Sequence, residues 1–79
     1  MKKLSRRSEM VEMHYVDSSN IEAIGHDTAA QELHVRFLSG DTYVYHGVPA
    51  EVYDELMAAP SKGSYLNRVI KANYEYTKM

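Results

Sequence analysis

Ser61-Lys62-Gly63-Ser64 is the stretch best equipped for chemistry in this chain. A serine that caps a helix leaves free backbone N–H groups beside it, and a glycine lets an anion approach closely. Lys62, Arg68 and Lys71 add positive charge nearby, so the run is a candidate phosphate or carboxylate seat. It lacks the longer glycine-bearing loop of a nucleotide-binding P-loop, and helix capping alone would account for the same residues. Tyr43 and Tyr45 invite comparison with aromatic platforms that stack bases. Their alternative is a core role, and the turn geometry below favours it. Tyr65 is read in the same way, as a motif aromatic that packs.

Catalytic and metal chemistry have little to draw on. Ser18, Ser19, Ser61 and Ser64 carry hydroxyls and Asp17, Asp27 and Asp54 carboxylates, but no Gly-x-Ser-x-Gly elbow or paired-acid spacing selects any of them. His14, His26, His34 and His46 have no i, i+4 spacing, and the chain has no cysteine. The expectation is therefore a non-enzymatic protein without a metal or other cofactor.

Charge along the chain is segregated. Residues 1–7 hold Lys2, Lys3, Arg6 and Arg7 and no acid, residues 8–61 hold ten acids against Arg36 alone, and residues 62–79 hold four bases against Glu75. A basic end and a basic last helix suit a polyanion, which the acidic middle would repel. Arg36, Ser61, Lys62, Gly63, Ser64, Arg68 and Lys71 are accordingly the candidate anion-binding or nucleic-acid-binding residues.

These residues must be positioned by a small fold. The 79 residues fall short of the roughly 100–200 of an ordinary domain, so one core must serve the whole chain. With disulfides excluded, self-association into a homodimer is the remaining staple for so small a core. No apolar run follows the basic N-terminus and no stretch is apolar enough to span a bilayer, so the expected location is the cytoplasm, away from membranes.

Residues 1–14 are expected to form a flexible basic arm, and residues 15–79 one domain. Asp17-Ser18-Ser19-Asn20 favours a turn because its side chains bond nearby backbone. Ile21 to Asp27 is a first strand in which Ile21 and Ile24 reach one face only through a bulge. Gln31 to Leu38 is a second, with Leu33, Val35 and Phe37 alternating against Glu32, His34 and Arg36. Thr42 to Val48 is the third. A two-residue Gly40-Asp41 turn would put Tyr43 and Tyr45 on the polar face; a three-residue Leu38-Ser39-Gly40 loop sets Val35 opposite Tyr43 and Leu33 opposite Tyr45. The longer loop is preferred because it gathers the apolar groups. Glu32, His34, Arg36, Thr42, Val44 and His46 then form the outer face, open to nucleic acid, a partner sheet or solvent.

Pro49 opens a helix with Val52, Tyr53, Leu56 and Met57 on its apolar stripe, and Pro60 ends it. Ser61 caps a second helix carrying Tyr65, Leu66, Val69 and Ile70. The expected fold class is α+β: a three-stranded antiparallel β-meander followed by two short helices packed on one face.

The ordered pattern includes Val16-Asp17-Ser18-Ser19, Ile24-Gly25, Leu33, Val35, Phe37, Gly40, Tyr43-Val44-Tyr45, Val48-Pro49, Val52-Tyr53, Leu56, Ser61-Lys62-Gly63, Tyr65-Leu66-Asn67, Ile70 and Tyr74. In this combination the chain resembles the KTSC domain across residues 16–76. That module is similar to the C-terminal extension of some lysyl-tRNA synthetases and also occurs as stand-alone small bacterial and phage proteins. His26 departs from the family's more usual aromatic after the glycine, which affects local packing. The resemblance implies an association with RNA through the synthetase. The leading expectation is a small RNA-binding module; the alternatives are a homodimeric protein-interaction module and capture of a small phosphorylated ligand at Ser61.

Overall fold

A computed structural model describes residues 11–79. The N-terminal cations Lys2, Lys3, Arg6 and Arg7, and with them most of the expected basic arm, lie outside the described residues. Strands β1 (His14–Tyr15), β2 (Ile21–Asp27), β3 (Glu32–Phe37) and β4 (Thr42–His46) lead into helix α1 (Ala50–Ala58). A second helical segment follows as α2 (Lys62–Tyr65), a π turn (Leu66–Ile70) and α3 (Lys71–Asn73), before strand β5 (Tyr76–Lys78). The strands form one antiparallel sheet in the order β1-β2-β3-β4-β5.

The sheet therefore has five strands where the sequence pattern suggests three. The two additional strands are both edges and both short, with two and three residues, and every residue in them is exposed. Neither buries a side-chain row, so neither produces an apolar alternation. Backbone hydrogen bonds extend their pairing, from Val16 N–H to the Glu22 carbonyl at 3.1 Å and from Met79 N–H to the Thr42 carbonyl at 2.8 Å. Because His14 and Tyr15 pair with Ile24 and Ala23, the boundary drawn after residue 14 falls inside β1.

The central register follows the apolar pattern. Val35 lies opposite Tyr43 and Leu33 opposite Tyr45. The loop between them closes with Gly40 N–H on the Phe37 carbonyl (2.9 Å) and Phe37 N–H on the Asp41 carbonyl (2.8 Å). Gly40 at φ +101° occupies the conformation that such a three-residue loop needs. The β2–β3 register shifts between Ile21 and Ala23, and this bulge brings Ile21 and Ile24 together in the core.

Both helical segments cover one face of the sheet. Leu56 of α1 and Leu66 and Ile70 of the π turn pack with Ile21, Ile24, Leu33, Val35, Tyr45 and Val48, all fully buried. Each such side chain contributes roughly 1.5–3 kcal/mol relative to exposure. Pro49 is the N-cap residue of α1, one position before its first turn, and Ala59 ends the helix ahead of Pro60. His26 sits on this inner side, stacked on Tyr53 with ring centroids 5.1 Å apart, and its Nε2 bonds the Val48 carbonyl at 2.7 Å. An imidazole thus does the packing that an aromatic hydrocarbon ring would do there.

The outer face differs from the open surface expected of it. His34 and Val44 are each only 5% exposed. Gly25, the register partner of His34, has Val11, Glu12 and Met13 directly over it. A β-carbon on residue 25 would stand 2.6 Å from the Glu12 carbonyl oxygen, so glycine is what permits this crossing. Glu32 lies opposite His46, as the pattern implies, with its carboxylate 3.8 Å from His46 Nδ1 and 3.6 Å from His34 Nε2.

Candidate functional site

Two polar turns face each other at one end of the molecule. In the first, Asp17-Ser18-Ser19-Asn20, the Ser18 hydroxyl accepts from the backbone N–H groups of Asn20 (3.3 Å) and Ile21 (3.2 Å) and donates to Asn20 Oδ1 (3.1 Å). One side chain thereby holds both the backbone and the Asn20 amide. In the second, Ser61 caps α2 by accepting from Ser64 N–H at 3.3 Å. Lys62 Nζ donates to the Ala59 carbonyl (3.2 Å), tying the second helical segment to the end of α1. The turns meet where Gly63 abuts Asn20. Between them lies a cavity of about 420 Å³ lined by Asp17 to Asn20, Pro60 to Ser64 and Asn67.

A second cavity of about 430 Å³ shares Ser19 and Asn20 with the first. It runs to the β3–β4 loop and is lined by Phe37, Leu38, Ser39, Asp41, Tyr43 and Lys71. The first cavity is walled by hydroxyls and amides with Asp17 and Lys62 among them; the second adds the Phe37 and Tyr43 rings and Leu38 to its serines, Asn20, Asp41 and Lys71.

The expected binding residues divide between these cavities and elsewhere. Ser61, Lys62, Gly63 and Ser64 line the polar cavity, and Lys71 lines the adjoining one. Arg68 stands behind the cap, its Nε donating to Ser64 Oγ at 3.2 Å. Arg36 does not join them. It alternates with the inward residues of β3, so it points away from the helices, where its Nε meets Glu22 Oε1 at 3.1 Å and its guanidinium lies 6.0 Å from the Tyr15 ring centroid. Gly63 packs on Asn20.

The motif aromatics pack. Tyr45 is buried and Tyr43 half-buried; Tyr43 meets Phe37 edge-on at 5.5 Å and Tyr76 at 5.0 Å. Burial, then the neighbouring Tyr43 and Tyr76, raises the Tyr45 phenol above its ordinary pKa. Burial also raises Tyr53, with Asp54 and Glu12 adding to it. Tyr65 is raised by burial first and then by Glu55, whose Oε1 accepts its hydroxyl at 2.8 Å and links α2 to α1.

Asp17 to Asn20 escaped selection as site residues because sequence offers them only as turn formers. The one available signal is the likeness of two serine-bearing turns, and their juxtaposition is tertiary. Among the described residues no group of three or more His, Cys, Asp or Glu could hold a metal ion, and no helix is long and apolar enough to cross a membrane.

Comparison with known proteins places this architecture. The family model for the KTSC domain matches residues 17–74. A protein of Tsukamurella paurometabola is 48% identical over 62 residues, spanning 78% of this chain and 92% of that one. A lysine–tRNA ligase of Nostoc is 38% identical over 63 residues, covering 80% of this chain but only 11% of the ligase. The crystal structure of a KTSC domain protein from Yersinia pestis superposes with a TM-score of 0.82 at 36% identity, over 87% of this chain and 97% of that one. By matched length, identity and fold alike, the chain belongs to the KTSC domain family.

Proposed function

We propose that the domain is a non-enzymatic cytoplasmic module that binds RNA along the two adjoining cavities. The carrying observation is the facing pair of turns, which lines the polar cavity with serine hydroxyls, the Asn20 amide, Asp17 and Lys62, while Lys71 and Asp41 line its neighbour. Phosphate oxygens need such donors and cations. Arg68, held against Ser64, adds charge beside the cap. The basic residues Lys2, Lys3, Arg6 and Arg7 would add long-range attraction. The similarity to a segment of a protein named lysine–tRNA ligase supports RNA over other polyanions. Arg36 has no part in this reading, since it belongs to the other side of the sheet.

Titration of labelled tRNA, single-stranded RNA and DNA at two salt concentrations tests the proposal. Affinity is expected to fall by about 0.7 log units per log unit of salt for each single-strand phosphate neutralised. Absence of saturable binding at low salt overturns it, and binding of free phosphorylated ligands with no RNA binding would favour capture of a small ligand at Ser61.

A second reading, self-assembly, draws on the exposed Tyr15 beside one sheet edge and Tyr76 and Met79 beside the other. Among the described residues neither edge pairs with a further strand, which leaves each as a template for one. Light scattering at high concentration separates a homodimer from a monomer of 9.0 kDa.

A further inference from the structure

We infer that the cavity between the β3–β4 loop and Lys71 is a seat for one unpaired nucleobase. This rests on the RNA reading and gives it a specific ligand unit. Leu38 opens the loop at 59% exposure, in a position where polar turn formers ordinarily stand. Beside it, Phe37 and Tyr43 meet edge-on at 5.5 Å and are both only half-buried, so an apolar and aromatic wall reaches the surface. Lys71 lines the same cavity and brings a cation to it. Asp41 and Asn20 supply a carboxylate and an amide to its lining.

The matching ligand has flat apolar faces, a hydrogen-bonding edge and an attached anion. Asp41 Oδ2 already meets Ser39 Oγ at 3.5 Å and Lys78 Nζ at 3.9 Å, and Asn20 Oδ1 accepts from Ser18. The second Asp41 oxygen and the Asn20 NH2 are left for a ligand, and an aliphatic one would desolvate them without a bond. A nucleobase offers exocyclic amines to Asp41 and both donors and acceptors to Asn20. Its phosphate falls naturally toward the polar cavity, because Asn20 lines both. The Asn20 amide is already held by Ser18 and confined by Gly63, so its orientation is set before a ligand arrives. The cavity, at about 430 Å³, lies within the range of small-ligand sites.

The test uses the full chain, a short single-stranded RNA, the same ribose-phosphate backbone without bases, and nucleoside 5′-monophosphates. The base-bearing strand is expected to bind about tenfold more tightly than the abasic one, the size of one aromatic–base stack. Leu38→Ala should remove that advantage while leaving the salt dependence of binding unchanged, and its exposed position keeps the fold intact. Lys71→Ala serves as a second variant and should lower affinity for both the base-bearing strand and the monophosphates. Monophosphate binding with no strand binding overturns the RNA reading; its loss in Leu38→Ala would then support the base seat, and its persistence there would overturn the base seat in favour of capture at Ser61. Strand binding that ignores the presence of bases, or a base advantage that Leu38→Ala and Lys71→Ala leave untouched, overturns the base seat and leaves the RNA reading standing. Binding of neither overturns both.

Discussion

A β-carbon at position 63 would stand 2.9 Å from Asn20 Oδ1, so the two serine-bearing turns touch through a glycine. That contact sets the Asn20 amide, which Ser18 also holds. Gly63→Ala should gain up to about 1 kcal/mol of helix propensity, offset by pushing Asn20 aside. The net change in a urea melt is expected to be under about 1 kcal/mol, whereas RNA affinity should drop about tenfold because the amide leaves its place. An alanine variant that binds as tightly as the parent would remove Asn20 from the site.

Gly25 offers the contrasting case. Its missing side chain accommodates a backbone carbonyl, Glu12, together with Met13 and Val11. Backbone yields less readily than one terminal oxygen of a side chain. Gly25→Ala should cost about 1–3 kcal/mol in urea denaturation and lift residues 11–13 from the sheet, seen as faster amide exchange there.

Gly40 has open space around it but φ +101°. Gly40→Ala is therefore expected to lose about 1–2 kcal/mol through backbone conformation alone. Replacement by D-alanine in a synthetic chain should lose none of it, and equal losses for both would show that packing is responsible.

Arg36 and Lys62 should separate in their electrostatic effects. Removing Arg36 breaks a half-exposed pair with Glu22, at a cost under about 1 kcal/mol, and should leave RNA affinity and its salt slope unchanged. Lys62→Ala should reduce the salt slope by about 0.7. Equal loss of slope in both variants would place RNA on both sides of the sheet.

Tyr45 gives the fold an alkaline limit. Its phenol is raised in the folded state by burial and by Tyr43 and Tyr76. The folded chain thus holds that proton more tightly than the unfolded one. The resulting stability is complete below the unfolded tyrosine value of about 10 and is lost as pH climbs from there through the folded value. Denaturation midpoints should fall over that window, less steeply in Tyr45→Phe, and a spectrophotometric titration should show Tyr45, Tyr53 and Tyr65 ionising late, with one late phenol fewer in Tyr45→Phe.

The three central strands are legible because each carries a buried row. Leu33, Val35 and Phe37 alternate cleanly, and the wish to gather Tyr43 and Tyr45 with them selects the three-residue loop that the structure contains. The bulge follows from Ile21 and Ile24 needing one face. The edge strands β1 and β5 bury nothing and leave no such trace. Burial of His34 is equally unreadable, because its alternation with Leu33 and Val35 marks it only as facing the other way. For the site, the Ser61 cap and Lys71 are visible as local signals. The encounter of Gly63 with Asn20, 43 positions earlier in the chain, depends on how the first turn is carried across the sheet.

The π turn acts as a one-residue phase shift. Lys71 N–H reaches back to the Leu66 carbonyl, five residues away, where an α-helix would use Asn67. Deleting a residue within 66–70 would restore ordinary winding and leave the residues downstream close to the faces they now occupy, whereas α winding with every residue retained would turn them by about 100° relative to the buried stripe. The wider turn thus absorbs one residue of length, so that Lys71 can overlook the β3–β4 loop while Leu66 and Ile70 stay in the core.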